Sequence, residues 1–421
     1  MYDLPRRFAL MNIQRAKIAI IGGSIAGCAM AITLRRMGCS VNVYERSPTA
    51  LADRGAGIIL PQQLQMRLLA EAYLPQDFHG FILQKRDWII DDGSEMGKRL
   101  WRQDVSGIAN HWGALWRALK ASLPSANYHA GTSLVDFSNT PKGVHYTLSD
   151  GSENQADLLI AADGYRSLIR ERMSWGSESD YAGYVLWRGN FPATRVNDTA
   201  LLEQLKADAS WISVCYHGGH AVIYLIPSGQ NDNTSDDLSI NWAVYTPPPA
   251  DIDFTSPTSI SAGSVTAELY AQLDDLLRTS FPPQIEALLR HSRREEISIQ
   301  PIYDELAIRF AEDRILFCGD AAGVVRPHTA SGATKALQDA FALQRLSADT
   351  EDLDVLLAAY DRERVQECNS LVETGRRIGR AQVEDTPDWS GMTEDTFRQW
   401  NESTFQGKQI YLYPDTQTNV R

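Results

Sequence analysis

The sequence predicts an α/β chain in three parts: a nucleotide-binding domain discontinuous in sequence, a β-rich domain inserted into it, and a helical C-terminal segment. Three observations predict this. A strand, a glycine turn, a helix and a second strand follow one another between Lys17 and Glu45. Alternating strand patterns dominate from Tyr181 to about Glu296. Two apolar strands that each end in a carboxylate beside a glycine stand on either side of that stretch. Alternation of strand and helix implies a parallel sheet, and a long β-only stretch implies a separate layer.

The elements read in order as follows. Lys17 to Ile21 is a β-rich apolar run, Cys28 to Met37 a helix ended by Gly38, and Ser40 to Tyr44 a strand closed by Glu45. This is the length a β-α-β unit needs. Gln62 to Tyr73 has helical periodicity, and Phe81 to Ile90 with Lys98 to Trp101 predicts a hairpin about Asp91-Asp92-Gly93. His111 to Leu123 is a helix stopped by Pro124. A meander follows from Leu134 through a Pro141/Gly143 turn, and Asp157 to Ala162 is a strand ending in Asp163-Gly164. Strands are expected at Tyr184 to Gly189, Trp211 to Tyr216, Ala221 to Ile226 and Ser239 to Tyr245. Helices are expected at Val265 to Leu277 and Pro283 to His291. Strands resume at Ile297 and at Ile315 to Cys318. A helix runs from Gly332 to Leu346, and the chain stays helical to about Arg380 before a polar, loop-rich end.

The 421 residues suit two or three domains, and 43% hydrophobic with 22% charged residues is the balance of a globular enzyme. A net charge of −13 argues against nucleic acid or an anionic membrane as partner. Five scattered cysteines form neither a disulfide framework nor a metal-ligand cluster, so no metal is expected and a cytoplasmic setting is the simplest. No apolar run reaches the length of a membrane span. Met1 to Leu10 reads as an extension without a signal-peptide pattern.

The first chemical motif is Gly22-Gly23-Ser24-Ile25-Ala26-Gly27. It is a dinucleotide fingerprint, G-x-G-x-x-G, with serine at the middle glycine. Gly22 permits the tight turn, Gly27 lets helix and strand approach, and small Ser24 leaves room for a pyrophosphate over the helix N-terminus. Glu45 lies eighteen residues past Gly27, where a carboxylate accepts hydrogen bonds from ribose hydroxyls. Asp157 to Arg166 and Arg314 to Ala322 are buried strands that end at Asp163-Gly164 and Gly319-Asp320. Ligands bind at such carboxyl ends, so both aspartates are expected at the same crevice.

These motifs, in this order, resemble the class A flavoprotein monooxygenases with the para-hydroxybenzoate hydroxylase-like fold. The likeness runs from about Lys17 to Arg380. Tyr181 to Gly189, Gly219 to Pro227 and Arg326 to Gly332 look most like the dihydroxypyridine-hydroxylase branch. The resemblance implies a Rossmann-like FAD-binding domain over 13–72, 107–172 and 298–346, a substrate domain over 73–106 and 173–297, and a helical segment over 347–421. By position it puts Glu45 at the adenosine ribose, Gly57 and Ile58 along the flavin, and Arg46 and Arg54 near the phosphates or ribityl chain. Leu134 and Val135 would flank the adenine, Asp163 would lie near the pyrophosphate and Asp320 at the ribityl hydroxyls. Pro327, Ala330, Ser331, Gly332, Ala333 and Thr334 would cover the flavin's pyrimidine edge. Two departures stand out. Gly323 replaces a histidine common in relatives, and Trp112 stands where many have an arginine on the cofactor; either the indole packs on FAD or Arg117 substitutes.

The resemblance further implies that NAD(P)H reduces FAD and that O2 then gives a flavin C4a-hydroperoxide that hydroxylates an electron-rich ring. One fingerprint alone is present, so NAD(P)H would bind transiently. Ring hydroxylation gains from a base near the substrate hydroxyl. His220, Val222 and Tyr224 share a strand face, so His220 is a candidate base or contact, with a structural histidine as the other reading. His328 is expected to line the site. Tyr216, Tyr224, Trp187 and Arg188 are candidate substrate contacts, the last two being plain strand residues otherwise. The expected partner is a small aromatic or N-heteroaromatic substrate, with a homodimer possible. Epoxidation, Baeyer–Villiger or oxidase chemistry, or flavin binding without turnover, are the competing readings.

Overall fold

Lys17–Ile21 forms the middle of a six-stranded sheet because its four apolar residues are buried on both faces, as parallel strands require. It pairs in parallel with Ser40–Glu45 on one side and with Leu158–Ala161 on the other. The sheet continues to Tyr128–Ala130 beyond the first neighbour and to Ile315–Phe317 and Ala311–Glu312 beyond the second. The chain thus leaves Lys17–Ile21 in both directions, and a crevice opens at that switch point. The computed structural model describes residues 13–49, 51, 56–140, 143–173, 179–229, 237–249, 252, 254 and 258–405.

Two helices cover the sheet where the site forms. Ile25–Arg36 is buried from Ile25 to Leu34, and Gly332–Leu346 packs against it. Both N-termini open at the carboxyl ends of the strands.

The second sheet has eight strands. Their order is Ser298–Asp304, Asp180–Pro192, Leu238–Thr246, Gly219–Pro227, Ser210–Tyr216, Phe81–Ile90, Lys98–His111 and Gly57–Pro61. All neighbours are antiparallel except Ser210–Tyr216 with Phe81–Ile90. One face carries an apolar core under helices Thr199–Ala207, Ala267–Ser280 and Pro283–Leu289. The other face looks toward the nucleotide crevice. Leu134–Thr140, Gly143–Leu148 and Glu153–Ala156 form a small third sheet, the expected meander.

Leu353–Gly379 is one 27-residue helix, as expected of the stretch to about Arg380, and it ends in a π turn over Arg380–Glu384. Two differences from the sequence reading have physical reasons. The strand expected to stop at Trp101 runs to His111, since Gly57–Pro61 and Phe81–Ile90 pair with its two edges. The end expected to be loop carries a helix, Glu394–Phe405. Its apolar residues are few, but Phe397 is fully buried against Trp88, Trp389 and Trp400. Among the described residues no helix is long and apolar enough to cross a membrane.

Candidate active site

A cavity of about 380 Å³ joins the two sheets, a volume within the usual range for small-ligand sites. One end is built from the nucleotide crevice. Gly22 has φ +104°, and a Cβ there would lie 2.2 Å from the Ala162 carbonyl oxygen. A Cβ on Gly27 would lie 1.9 Å from the Gly22 oxygen. Both glycines are therefore steric necessities that bring turn, strand and helix together. Ser24, Ile25 and Ala26 line the cavity at the start of the helix. Gly23 sits beneath: its oxygen accepts from Trp116 Nε1 at 2.8 Å and the Tyr128 hydroxyl at 2.9 Å. Its N–H donates to Glu45 Oε2 at 2.9 Å, while Glu45 Oε1 accepts from Ser47 N–H. Glu45 thus holds the turn in place.

Gly319 and Asp320 form the facing wall. Gly319 has φ +59°, and a Cβ on it would lie 2.8 Å from Ala26 Cβ. Its peptide is clamped from below. The N–H donates to Asp339 Oδ2 at 2.7 Å, the oxygen accepts from Lys335 Nζ at 2.6 Å, and Arg364 Nε donates to Asp339 Oδ1 at 2.7 Å. These three charged residues are buried and were not foreseen, although Lys335 and Asp339 are charges on an otherwise apolar helix face. Burial pushes the Asp320 carboxyl up, partly offset by Lys335 and Arg170.

Ala330 is a non-glycine residue in the left-handed region, φ 51°. Such strain costs about 1–3 kcal/mol and concentrates at functional sites. Here it turns the chain so that Ala330, Ser331, Gly332 and Ala333 line the cavity together with Pro327. No side chain caps this helix, and Ser331 Oγ donates to the Thr329 oxygen. The first N–H groups and their partial positive charge are left for a ligand. Thr334 lies one step below, its Oγ1 enclosed without a protein partner.

The other end belongs to the second sheet. His220, Val222 and Tyr224 line it from one strand, Leu186 and Arg188 from another, and Asn241, Ala243 and Tyr245 from the strand between. Gly57 and Ile58 close one side, with Gly57 N–H donating to Asn241 Oδ1 at 2.6 Å. Trp112 lines the cavity too. The rings of His220 and Tyr245 stack at 4.4 Å and 8°, and Tyr245 stacks on His328 at 4.2 Å and 24°. Such ring pairs contribute about 0.5–1.5 kcal/mol each beyond their buried area. His328 Nε2 lies 2.7 Å from the Tyr184 hydroxyl, which accepts from Arg326 Nη1 at 3.1 Å. Arg326 is anchored by Asp304 at 2.7 Å. Burial holds both imidazoles well below their ordinary range; for His220 the next causes are His328 and Arg86, for His328 they are Arg326 and Arg86.

Several expected site residues are placed elsewhere. Trp187 follows Leu186 in its strand and so points to the opposite face, into the apolar core. Tyr216 lies in that same core, its hydroxyl donating to the Tyr245 oxygen at 2.6 Å. Neither reaches the cavity. Asp163 does not aim into the crevice: Oδ2 accepts from Leu168 N–H at 2.9 Å and so holds the next helix, while Oδ1 is enclosed without a partner. Burial pushes its carboxyl up. Arg46 is exposed at the end of its strand, and Leu134 and Val135 lie on the three-stranded sheet. Arg117 donates to the Gly229 oxygen, so it does not replace the missing arginine; Trp112 is the residue at the cavity. Arg54 lies outside the described residues.

Sequence reasoning missed Arg86, which lines the cavity between the faces of Trp88 and Trp211, at 3.6 and 4.1 Å, and donates from Nε to Ser213 Oγ at 2.9 Å. It stands between Lys85 and Asp87 in its strand, so nothing in the spacing singled it out. Tyr184 and Arg326 were missed because their partners are more than 140 residues away.

The residues fit FAD. Glycines at 22, 27 and 319 hold the crevice open where side chains would fill it, and two helix starts offer N–H groups, one of them uncapped. The crevice, the two distal Gly/Asp motifs and the attached sheet resemble those of the class A FAD-dependent monooxygenases with the para-hydroxybenzoate hydroxylase-like fold. The family described as FAD binding domain matches residues 265–374, and that described as pyridine nucleotide-disulphide oxidoreductase matches residues 17–67. The chain is 28% identical to 2,6-dihydroxypyridine 3-monooxygenase of Paenarthrobacter nicotinovorans over 86% of its length and 90% of that protein. It is 24% identical to 6-hydroxynicotinate 3-monooxygenase of Bordetella bronchiseptica, over 89% and 94%. The structure of 2,6-dihydroxypyridine-3-hydroxylase from Arthrobacter nicotinovorans superposes with a TM-score of 0.78 at 26% identity, over 90% of this chain and 96% of that one.

Proposed function

We propose that this protein uses NAD(P)H and O2 to hydroxylate a small hydroxylated aromatic ring, with hydroxypyridines the leading class. The observation that carries the reading is the single cavity. It runs from Ser24, Asp320 and the uncapped start of Gly332–Leu346 to the His220–Tyr245–His328 stack. FAD, when bound, would accept hydride from NAD(P)H and activate dioxygen. Gly22 to Gly27 would hold its pyrophosphate, Asp320 its ribityl hydroxyls, and the N–H groups of Gly332 and Ala333 the electron-rich edge of its ring. A helix start favours negative charge there by about 0.3–1 kcal/mol, more when buried.

Tyr224, Arg188 and His220 would then face a flat substrate, and the two sheets exclude water from it. The relatives that act on hydroxylated pyridines support hydroxylation over epoxidation, Baeyer–Villiger chemistry or flavin binding without turnover. The five free, buried cysteines support a reducing, cytoplasmic setting. The test is a visible flavin spectrum, followed by NAD(P)H oxidation and product mass with hydroxylated pyridines, phenols and pyrimidines. Oxidation stimulated by one ring class, with a product one oxygen heavier, is expected. Slow, ring-independent oxidation would refute the reading.

A further inference from the structure

Three cations gather around the turn at Gly319 and Asp320, and two of them have a carboxylate of their own. Arg364 Nε pairs with Asp339 Oδ1 at 2.7 Å, and Arg170 Nη2 with Glu305 Oε2 at 2.7 Å. Lys335 is different. It is fully buried, and among the described residues no carboxylate stands at ion-pair distance from its ammonium. Nζ donates at 2.6 Å to the Gly319 carbonyl oxygen, a neutral acceptor. A buried ammonium is strongly unfavourable unless an opposite charge stands near it.

The carboxylate left over is Asp320, the next residue along the chain from the carbonyl that Lys335 holds. Its backbone is fixed from the other side, where the oxygens of Asp320 and Ala321 accept from Arg170 Nη1 at 3.1 and 2.9 Å. Its side chain lines the cavity. Burial pushes this carboxyl up, Lys335 and then Arg170 pull it back, and Asp339 adds a smaller upward push. The other titratable groups packed about the turn carry no charge: burial pushes the Cys318 and Cys368 thiols and the Tyr360 phenol up. Asp163 is turned away to the Leu168 N–H. Lys335, Arg364 and Arg170 thus face Asp339, Glu305 and Asp320, and the cluster is neutral when Asp320 is ionised.

We propose that Lys335 is a positioning residue for the cofactor: it fixes the Gly319 carbonyl and supplies the counter-charge that keeps Asp320 a carboxylate, ready to accept from the ribityl hydroxyls. An ionised carboxyl only accepts, whereas a protonated one gives up part of that capacity to become a donor. The helix Gly332–Leu346 then serves the cofactor twice, with its uncapped start at the flavin ring and, one turn on, with a charge beneath the ribityl site. This rests on the FAD reading of the crevice given above.

The test is the dissociation constant of FAD, titrated into the full-length protein after flavin removal, from about pH 6 to about pH 9. The parent, Lys335→Met, Asp320→Asn and the double variant are compared, with the denaturant midpoint as folding control. Lys335→Met is expected to bind FAD at least about tenfold more weakly than the parent at the acid end. That ratio is expected to shrink at least about fivefold by the alkaline end, where Asp320 ionises without its counter-charge. In the Asp320→Asn background, Lys335→Met is expected to change affinity by less than about threefold, with no trend in pH. Weakening that is the same at every pH and in both backgrounds would make Lys335 a structural clamp alone and overturn the proposal. A second measurement needs no change at Lys335 and decides the matter should Lys335→Met not fold. The ratio of dissociation constants between the parent and Asp320→Asn is expected to stay constant within about twofold across the range. A larger change would show Asp320 titrating with Lys335 in place, which also overturns the proposal. A parent that binds no FAD at any pH overturns the cofactor reading along with it, whereas the other contrary results strike Lys335 alone.

Discussion

The Tyr184 hydroxyl lies 2.7 Å from His328 Nε2, and Gly379 leaves the space for both. A Cβ on Gly379 would sit 2.3 Å from the Tyr184 oxygen, 2.8 Å from Arg326 Nη1 and 3.3 Å from His328 Nε2. The C-terminal helix, far from the cavity in sequence, therefore sets the imidazole that stacks on Tyr245.

Gly379→Ala is expected to lower kcat about tenfold or more with flavin content near normal, since the crowded atoms lie at the substrate end. Tyr184→Phe removes two hydrogen bonds, with His328 and Arg326, at roughly constant shape. It is expected to cost about 1–3 kcal/mol of stability and a smaller share of activity. Steady-state kinetics with flavin absorbance and denaturant titration would check both. Equal flavin loss in the two variants would contradict the separation of the two ends.

The cofactor end responds differently. Asp320→Ala is expected to yield folded protein with little bound flavin, and Gly27→Ala protein that neither binds flavin nor reaches normal yield. In the second case the new Cβ meets a backbone oxygen, which cannot move aside. Full flavin absorbance in Asp320→Ala would remove that residue from the cofactor site.

Asp339 holds together three groups: the Gly319 N–H, the Arg364 guanidinium and, through the Gly319 peptide, the Lys335 ammonium. Removing one partner of a buried ion pair leaves an uncompensated charge, at about 3–5 kcal/mol. Asp339→Asn is expected to destabilise by that order, measured as a lowered denaturant midpoint at unchanged slope. Replacing Arg314, whose ion pair with Asp354 is exposed on the carboxylate side, is expected to change it by no more than about 1 kcal/mol.

The two imidazoles have folded-state pKa values below the unfolded value of about 6.5. The unfolded chain therefore binds more protons on acidification. Their stabilising effect is fully present above about pH 6.5 and is lost progressively as pH falls below it. Asp163 and Asp320 are shifted up, so they act in the opposite sense: they destabilise above the unfolded value of about 3.9, and acid relieves that penalty. The histidine part is isolated by comparing His328→Gln with the parent. The variant is expected to lose less stability between about pH 6.5 and 5, by denaturant titration at each pH. Parallel curves would show that His328 is not held neutral.

The glycine turn, the two Gly/Asp strand ends and the His220–Tyr224 face were legible because each follows from local rules. A turn that needs no Cβ, a strand that ends in a carboxylate and a period of two all leave marks in a few residues. The same period shows why Trp187 and Arg188 could not both reach the cavity: adjacent strand residues face opposite ways, and which one turns inward depends on the sheet's partner layer. Asp163 was placed at the right strand end, but its carboxylate is taken by the Leu168 N–H, a contact only the turn geometry reveals. The Arg326–Tyr184–His328 line and the Lys335–Asp339–Arg364 clamp join distant segments, and no spacing in the chain announces them.

The central claim is that the cavity joins a flavin crevice to an aromatic-ring site. Its most direct test is turnover of 2,6-dihydroxypyridine by the FAD-loaded protein with NAD(P)H under isotopically labelled dioxygen, read by product mass. One labelled oxygen atom in the ring product, with NAD(P)H consumed in proportion, is the expected result. Label found only in hydrogen peroxide or water, with this and every other hydroxylated ring recovered unchanged, would contradict it.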